Sequence, residues 1–166
     1  MPKRAGVDTV AGVVHVGGVV ELDPAQIVPH PEVYRDMTSP DLRVRLDAER
    51  AFLALCFDRP PQSAVFQRLL ANASMASLDM QRVVHRMSVD AVGGLRRMHK
   101  PMLQIYGEQD ALVRGRASAG RASALYPAIR TEFLDGVGHA PFLEDAPRFN
   151  GMVEAFIREL SRDKDH

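Results

Sequence analysis

Two residues able to handle protons, Asp110 and His139, each follow an apolar run and a glycine: Pro101-Met-Leu-Gln-Ile-Tyr-Gly-Glu-Gln-Asp110 and Arg130-Thr-Glu-Phe-Leu-Asp-Gly-Val-Gly-His139. A carboxylate that accepts a hydrogen bond from one imidazole nitrogen fixes the ring's tautomer and stabilises the imidazolium. The other nitrogen is then free to act as a general base. Asp110 is thus the candidate orienting acid and His139 the candidate proton carrier. An α/β sheet presents such chemistry at the carboxyl ends of its parallel strands, and a crossover connection places two such ends in one sheet. Taken alone, an aspartate after a strand also serves as a turn residue, and a lone histidine as a packing or surface residue.

The elements that would hold this pair are legible as periodicity. Met102 to Tyr106 reads as a strand, about Arg114 to Leu125 as a helix, and about Thr131 to Leu134 as a second strand, which together make a βαβ unit. Val10 to Val16 is a nearly continuous apolar run with small glycines, the pattern of a parallel strand covered on both faces. Prolines at 24, 29, 31 and 40 make residues 23–40 an irregular excursion from the sheet. Three helical patterns follow, one through Phe52, Leu55 and Cys56, one through Val65, Phe66, Leu69, Leu70 and Ala73, and one through Met80, Val83, Val84 and Met87. Gly93-Gly94 marks the return to strand chemistry. The last pattern puts Leu143, Ala146, Phe149, Val153, Phe156, Ile157 and Leu160 on one helical face, opened by Glu144, Asp145 and Pro147. The polar tail from Ser161 to His166 is expected to fray.

Composition narrows the classes. At 166 residues, 46% of them hydrophobic, the chain can bury one core and reads as one domain. Basic and acidic residues number 21 each, so no net charge draws it to nucleic acid or an anionic membrane. The single cysteine, Cys56, excludes an internal disulfide, reads as a buried thiol and fits a cytoplasmic protein. Met1-Pro-Lys-Arg before the valine run superficially resembles a signal peptide, but Asp8 and His15 interrupt it and Glu21-Leu-Asp-Pro24 is no cleavage site. The histidines form no pair at metal-ligand spacing, so no metal is expected. Arg96, Arg97, His99 and Lys100 read as a solvated helix end.

Gly107-Glu-Gln-Asp110 after an apolar strand, then Gly138-His139-Ala-Pro-Phe-Leu-Glu144 and an amphipathic last helix, resembles the C-terminal end of the α/β-hydrolase superfamily. Val10 to Gly18 resembles the strand that follows the nucleophile-bearing helix in that family, and residues 24–94 resemble its helical cap. Arg148-Phe149-Asn150 adds a likeness to cofactor-free haloperoxidase-like and esterase or lactonase members. The resemblance implies an α/β fold class, a partial α/β-hydrolase fold of the last three parallel strands with flanking helices. It would be one incomplete domain over 1–166, with 24–94 as a cap insertion. It further implies hydrolysis of an ester-like or lactone small molecule by a Ser-Asp-His mechanism, with Asp110 and His139 at the acid and base positions, a small apolar or ester-like molecule as partner, no cofactor, and neither nucleic acid nor membrane.

The third member of that mechanism has no counterpart. The family carries its nucleophile before the acid, within Gly-x-Ser-x-Gly on a strained strand-to-helix turn. Ser39, Ser63, Ser74, Ser77 and Ser88 lack the flanking glycines and read as caps or solvated residues. Gly115-Arg-Ala-Ser-Ala-Gly120 has the wrong spacing and follows Asp110, and Gly6-Val-Asp8-Thr-Val10 lacks the second glycine. Cys56 lies in a helical apolar pattern, which argues against a thiolate nucleophile. Glu108 is close enough to Asp110 to be a second candidate acid but reads as a solvated turn residue, as does Asp135 before Gly136. The expectation is a truncated hydrolase, inactive by itself. The alternatives are a noncatalytic binding module and one half of a split hydrolase. An unpaired valine-rich strand edge would invite self-association or a partner chain.

Overall fold

The structure, a computed structural model, describes residues 10–162, and for His85 the backbone alone. Its centre is a parallel sheet of three strands in the order β1 (Val13–Val16), β2 (Met102–Gly107), β3 (Ile129–Leu134). Val13 pairs with Met102, and Met102 with Ile129, so the three strands run in step and end at one edge. The middle strand is buried at all six positions, which is why its sequence, Gln104 apart, is continuously apolar rather than alternating.

Each face of the sheet has its own cover. Leu103 and Ile105 point to one side, where Phe149, Met152, Val153, Phe156 and Leu160 of the last helix, α8 (Ala146–Arg162), pack on them with Leu134 and Val137. Met102 points to the other side, toward Leu95, Ala122 and Leu125, supplied by α5 (Ala91–Arg96) and α6 (Gly115–Leu125). Burial of side chains of this size is worth roughly 1.5–3 kcal/mol each. Five more helices complete the described chain: α1 (Pro31–Asp36), α2 (Leu42–Leu55), α3 (Ser63–Ala73) and α4 (Leu78–Arg86) lie between β1 and α5, and α7 (Pro141–Glu144) precedes α8. Phe52, Leu55 and Cys56 at the end of α2 rest against Tyr106, Leu112 and Val113, which anchors the helical layer to the sheet.

The α/β class and the βαβ unit agree with the sequence reading; several details do not. The first strand spans only Val13–Val16, and Val14 is 36% exposed rather than covered. Pairing begins where Val13 N–H donates to the Pro101 carbonyl, and among the described residues β1 has a neighbour on one side only. The proline-rich excursion contains a short helix, α1, because Pro31 occupies its first turn, where a missing N–H does no harm. Gly93 and Gly94 lie inside α5 instead of marking its end, held by Asp90, whose Oδ1 accepts from Gly93 N. Met80, Val83, Val84 and Met87 of the third helical pattern are exposed, not core. So are Leu143 and Ile157, since the chain bends at Asp145 and divides that pattern into α7 and α8. Ser161 and Arg162 continue α8. Residues 163–166, the Met1-Pro-Lys-Arg start and Asp8 fall outside the described residues.

Candidate active site

The carboxyl ends of all three strands meet at one place. After β2 the chain turns so that the Asp110 carboxylate points inward. Its Oδ1 accepts the backbone N–H groups of Leu112 (2.8 Å) and Val113 (2.9 Å). Its Oδ2 lies 2.8 Å from Nδ1 of His139, which arrives from the loop after β3. The Asp110 side chain is 1% exposed and that of His139 31%. A carboxylate oxygen can only accept, so Nδ1 carries the proton and Nε2 holds its lone pair. Among the described residues Nε2 has no hydrogen-bond partner. The pair therefore has an oriented, partly exposed base backed by a buried acid, the arrangement that lets an imidazole take a proton from a hydroxyl.

Three residues hold the ring in place, and their part in doing so had no signal in the sequence. Gln109 binds the two loops together: its Oε1 accepts from Gly136 N (2.6 Å) and Val137 N (3.0 Å), and its own N–H donates to the Val137 carbonyl (3.0 Å). Glu144, read from the sequence as a helix-start acid, accepts from Gly138 N (2.8 Å) beside the histidine. It also accepts from Asp58 N (2.8 Å) and Arg59 N (3.1 Å) at the α2–α3 junction. Gly17, just past β1, lies under the imidazole. A Cβ there would sit 2.9 Å from both Cε1 and Nδ1 of His139, and the residue has φ of +57°, which favours glycine. Gly107 is required for another reason, since a Cβ there would collide with the carbonyls of Val137 and Gly138 where the two loops cross.

The acid's surroundings are apolar and negative. Burial, with the Asp110 and Glu144 charges nearby, pushes the Cys56 thiol up to about 11. Burial and then Asp110 push the Tyr106 phenol up to about 12, and Tyr34 is raised by burial, Cys56 and Asp110. Cys56 caps the end of α2, half-buried, with Sγ 3.5 Å from the Phe52 carbonyl, so it is neither deeply buried nor poised as a thiolate. Residues 26–30 strap the acid loop: Val28 N donates to the Leu112 carbonyl, Arg114 N to the Gln26 carbonyl, and His30 Nε2 to the Ala111 carbonyl (2.8 Å). Glu108 pairs with Arg116 and makes no hydrogen bond to His139, and Asp135 accepts from Gln109 Nε2 in the exposed turn. A hollow of about 380 Å³ beside Asp110 is lined by Glu108, Arg114, Arg116 and Phe133. A wider one, about 630 Å³, lies between α2 and α3 and includes neither Asp110 nor His139, so size does not mark the chemistry. No group of three or more metal-ligating side chains and no helix long and apolar enough to cross a membrane occurs among the described residues.

This strand order, helical layering and acid–histidine placement define the class: the chain has part of the α/β-hydrolase fold and resembles the esterase and bromoperoxidase-type members of that superfamily. A proposed aryl esterase from Burkholderia cenocepacia is 53% identical with a TM-score of 0.89, over 92% of this chain and 56% of that one. The esterase RhEst1 from Rhodococcus sp. ECU1013 is 25% identical with a TM-score of 0.82, over 94% of this chain and 58% of that one. A stretch of 66 residues, 39% of this chain, is 39% identical to 11% of the biotin biosynthesis bifunctional protein BioHC of Teredinibacter turnerae. No protein-family model matches. The chain thus spans a little over half the length of the solved esterases it matches.

Proposed function

We propose that Asp110 and His139 are the acid and base of a serine-type carboxylic-ester hydrolase acting on a small apolar ester or lactone. The observation that carries this reading is the 2.8 Å contact from Nδ1 of a partly exposed histidine to a carboxylate that is otherwise buried. Likeness to esterases supports the substrate class. In this reading His139 Nε2 accepts the proton of a serine hydroxyl as its oxygen attacks the ester carbonyl. The same proton then passes to the departing alcohol, leaving an acyl-enzyme, and water activated by Nε2 releases the acid. Residues 24–94 form the cap over that site, in a cytoplasmic protein that uses no cofactor.

The 166 residues contain no Gly-x-Ser-x-Gly, so we assign them the acid–base half of the reaction and hold the chain to be inactive by itself. A fluorophosphonate probe that labels activated serines tests this. No labelling of the chain alone, and labelling once a segment bearing the elbow of an esterase relative is supplied, is the expected pattern. Labelling of any serine in the isolated chain would overturn it. A second reading, docking of a further chain or copy along β1, is favoured by the strand's single partner and half-exposed side chains.

A further inference from the structure

Away from Asp110 and His139, the helical layer buries a carboxylate that has no counter-charge. Glu49, within α2, is 3% exposed, and its oxygens accept only from neutral groups, Oε1 from Gln81 Nε2 at 2.6 Å and Oε2 from Ser74 Oγ at 2.7 Å. The single Ser74 hydroxyl proton is shared, because the Leu70 carbonyl lies 2.9 Å from the same oxygen. Among the described residues Glu49 makes no ion pair. Gln81, in α4 and 8% exposed, commits its amide donor to Glu49, and its Oε1 is buried without a partner among the described residues. With Glu49 ionised, turning the amide round gives no relief, since a carboxylate oxygen requires a donor. Both residues line a cavity of about 280 Å³ whose other walls include Met37, Phe52, Met80 and Val84.

Buried anions are paired in proteins, and buried acceptors find donors. Here a negative group and an orphaned acceptor share one small apolar cavity with an aromatic wall. We propose that this cavity binds a small organic ammonium, a primary amine on a short aryl or alkyl body. The ammonium N–H groups would donate to Glu49 and to Gln81 Oε1 and supply the missing positive charge, while the body packs on Phe52 and the methionines. A divalent metal is a poor fit, because hard cations need six or more oxygens. Met37 and Met80, unbranched and adaptable, are the side chains that yield to admit the head group. The site is independent of the ester-hydrolase reading, since it uses neither Asp110 nor His139.

The test is a titration of the isotope-labelled chain with 2-phenylethylamine, charged at neutral pH, and with 2-phenylethanol, its neutral counterpart, following backbone amide resonances. Saturable shifts at residues 49, 52, 74 and 81, with the amine at least about tenfold tighter than the alcohol, are expected. Glu49→Gln should abolish the preference for the amine. Val84→Trp, which fills the cavity from its exposed rim and leaves the buried polar cluster intact, should abolish both. Equal binding of the two probes, a preference that survives Glu49→Gln, shifts centred elsewhere, or no saturable shift would each overturn the proposal and leave Glu49 a purely structural role. Should Glu49→Gln fail to fold, the amine-to-alcohol ratio in the unaltered chain and its loss in Val84→Trp still decide the matter.

Discussion

At the scale of single residues, the site's environment makes some side chains inert and others sensitive. Cys56 has its thiol held near 11 by burial and by the Asp110 and Glu144 charges. Iodoacetamide at pH 8 should therefore leave it almost unmodified in the folded chain and alkylate it readily in urea, as mass spectrometry would show. His15 of β1 sits against Gln104, with Nδ1 3.3 Å from Nε2 of that buried amide, and burial lowers its proton affinity. A histidine that resists protonation when folded favours folding fully above its ordinary value near 6.5, and that contribution is lost as pH falls toward and through the folded value. Thermal melts should show stability declining from pH 7.5 to 5, with a smaller decline in His15→Gln. Asp110 and His139 were legible in the sequence because their types, glycines and spacing coincide. Gln109 was not, because a side-chain amide that clamps two backbone loops has no pattern in one dimension.

At the scale of elements, the histidine loop and the helical layer are joined through one carboxylate. Glu144 is bonded to Gly138 on one side and to Asp58 and Arg59 on the other, so the position of the imidazole depends on how the α2–α3 junction is seated. Glu144→Ala leaves three backbone donors without that acceptor and should destabilise the chain by about 1–3 kcal/mol in urea unfolding. It should also broaden or shift the His139 ring resonances, whereas Glu144→Asp should restore little, its side chain being shorter by a methylene. Strands β2 and β3 and helices α3 and α6 were readable within a residue or two, since burial on both faces or one face leaves a plain apolar period. The apolar period of α4 is real, yet Met80, Val83 and Val84 are exposed, Met80 and Val84 beside an open cavity, because periodicity reports that a helix has an apolar side and not what that side meets.

At the scale of the whole molecule, the three parallel strands among the described residues leave β1 with backbone donors and acceptors along one open edge, beside the half-exposed Val14. Parallel sheets are seldom left in this condition. Size-exclusion chromatography with light scattering should show the chain as a dimer or larger species. Val14→Lys, which places a charge beside the open edge, should shift it toward monomer, and a concentration-independent monomer in the unaltered chain would count against docking at β1. Fold class was legible at this scale because the βαβ unit and the helical run are local in sequence. The open edge was legible only as an inference from the missing elbow.

The bonds that aim the imidazole at its carboxylate are, apart from the Gly17 floor, the strap of residues 26–30 and the tie to residues 58 and 59, made among residues 107–144. Carboxylate, imidazole and clamp are thus carried by one contiguous stretch, although the bonds between its two loops span 27 to 29 residues of chain. Recombination that moved this stretch onto another parallel sheet would carry the Asp110–His139 pair with it, already clamped.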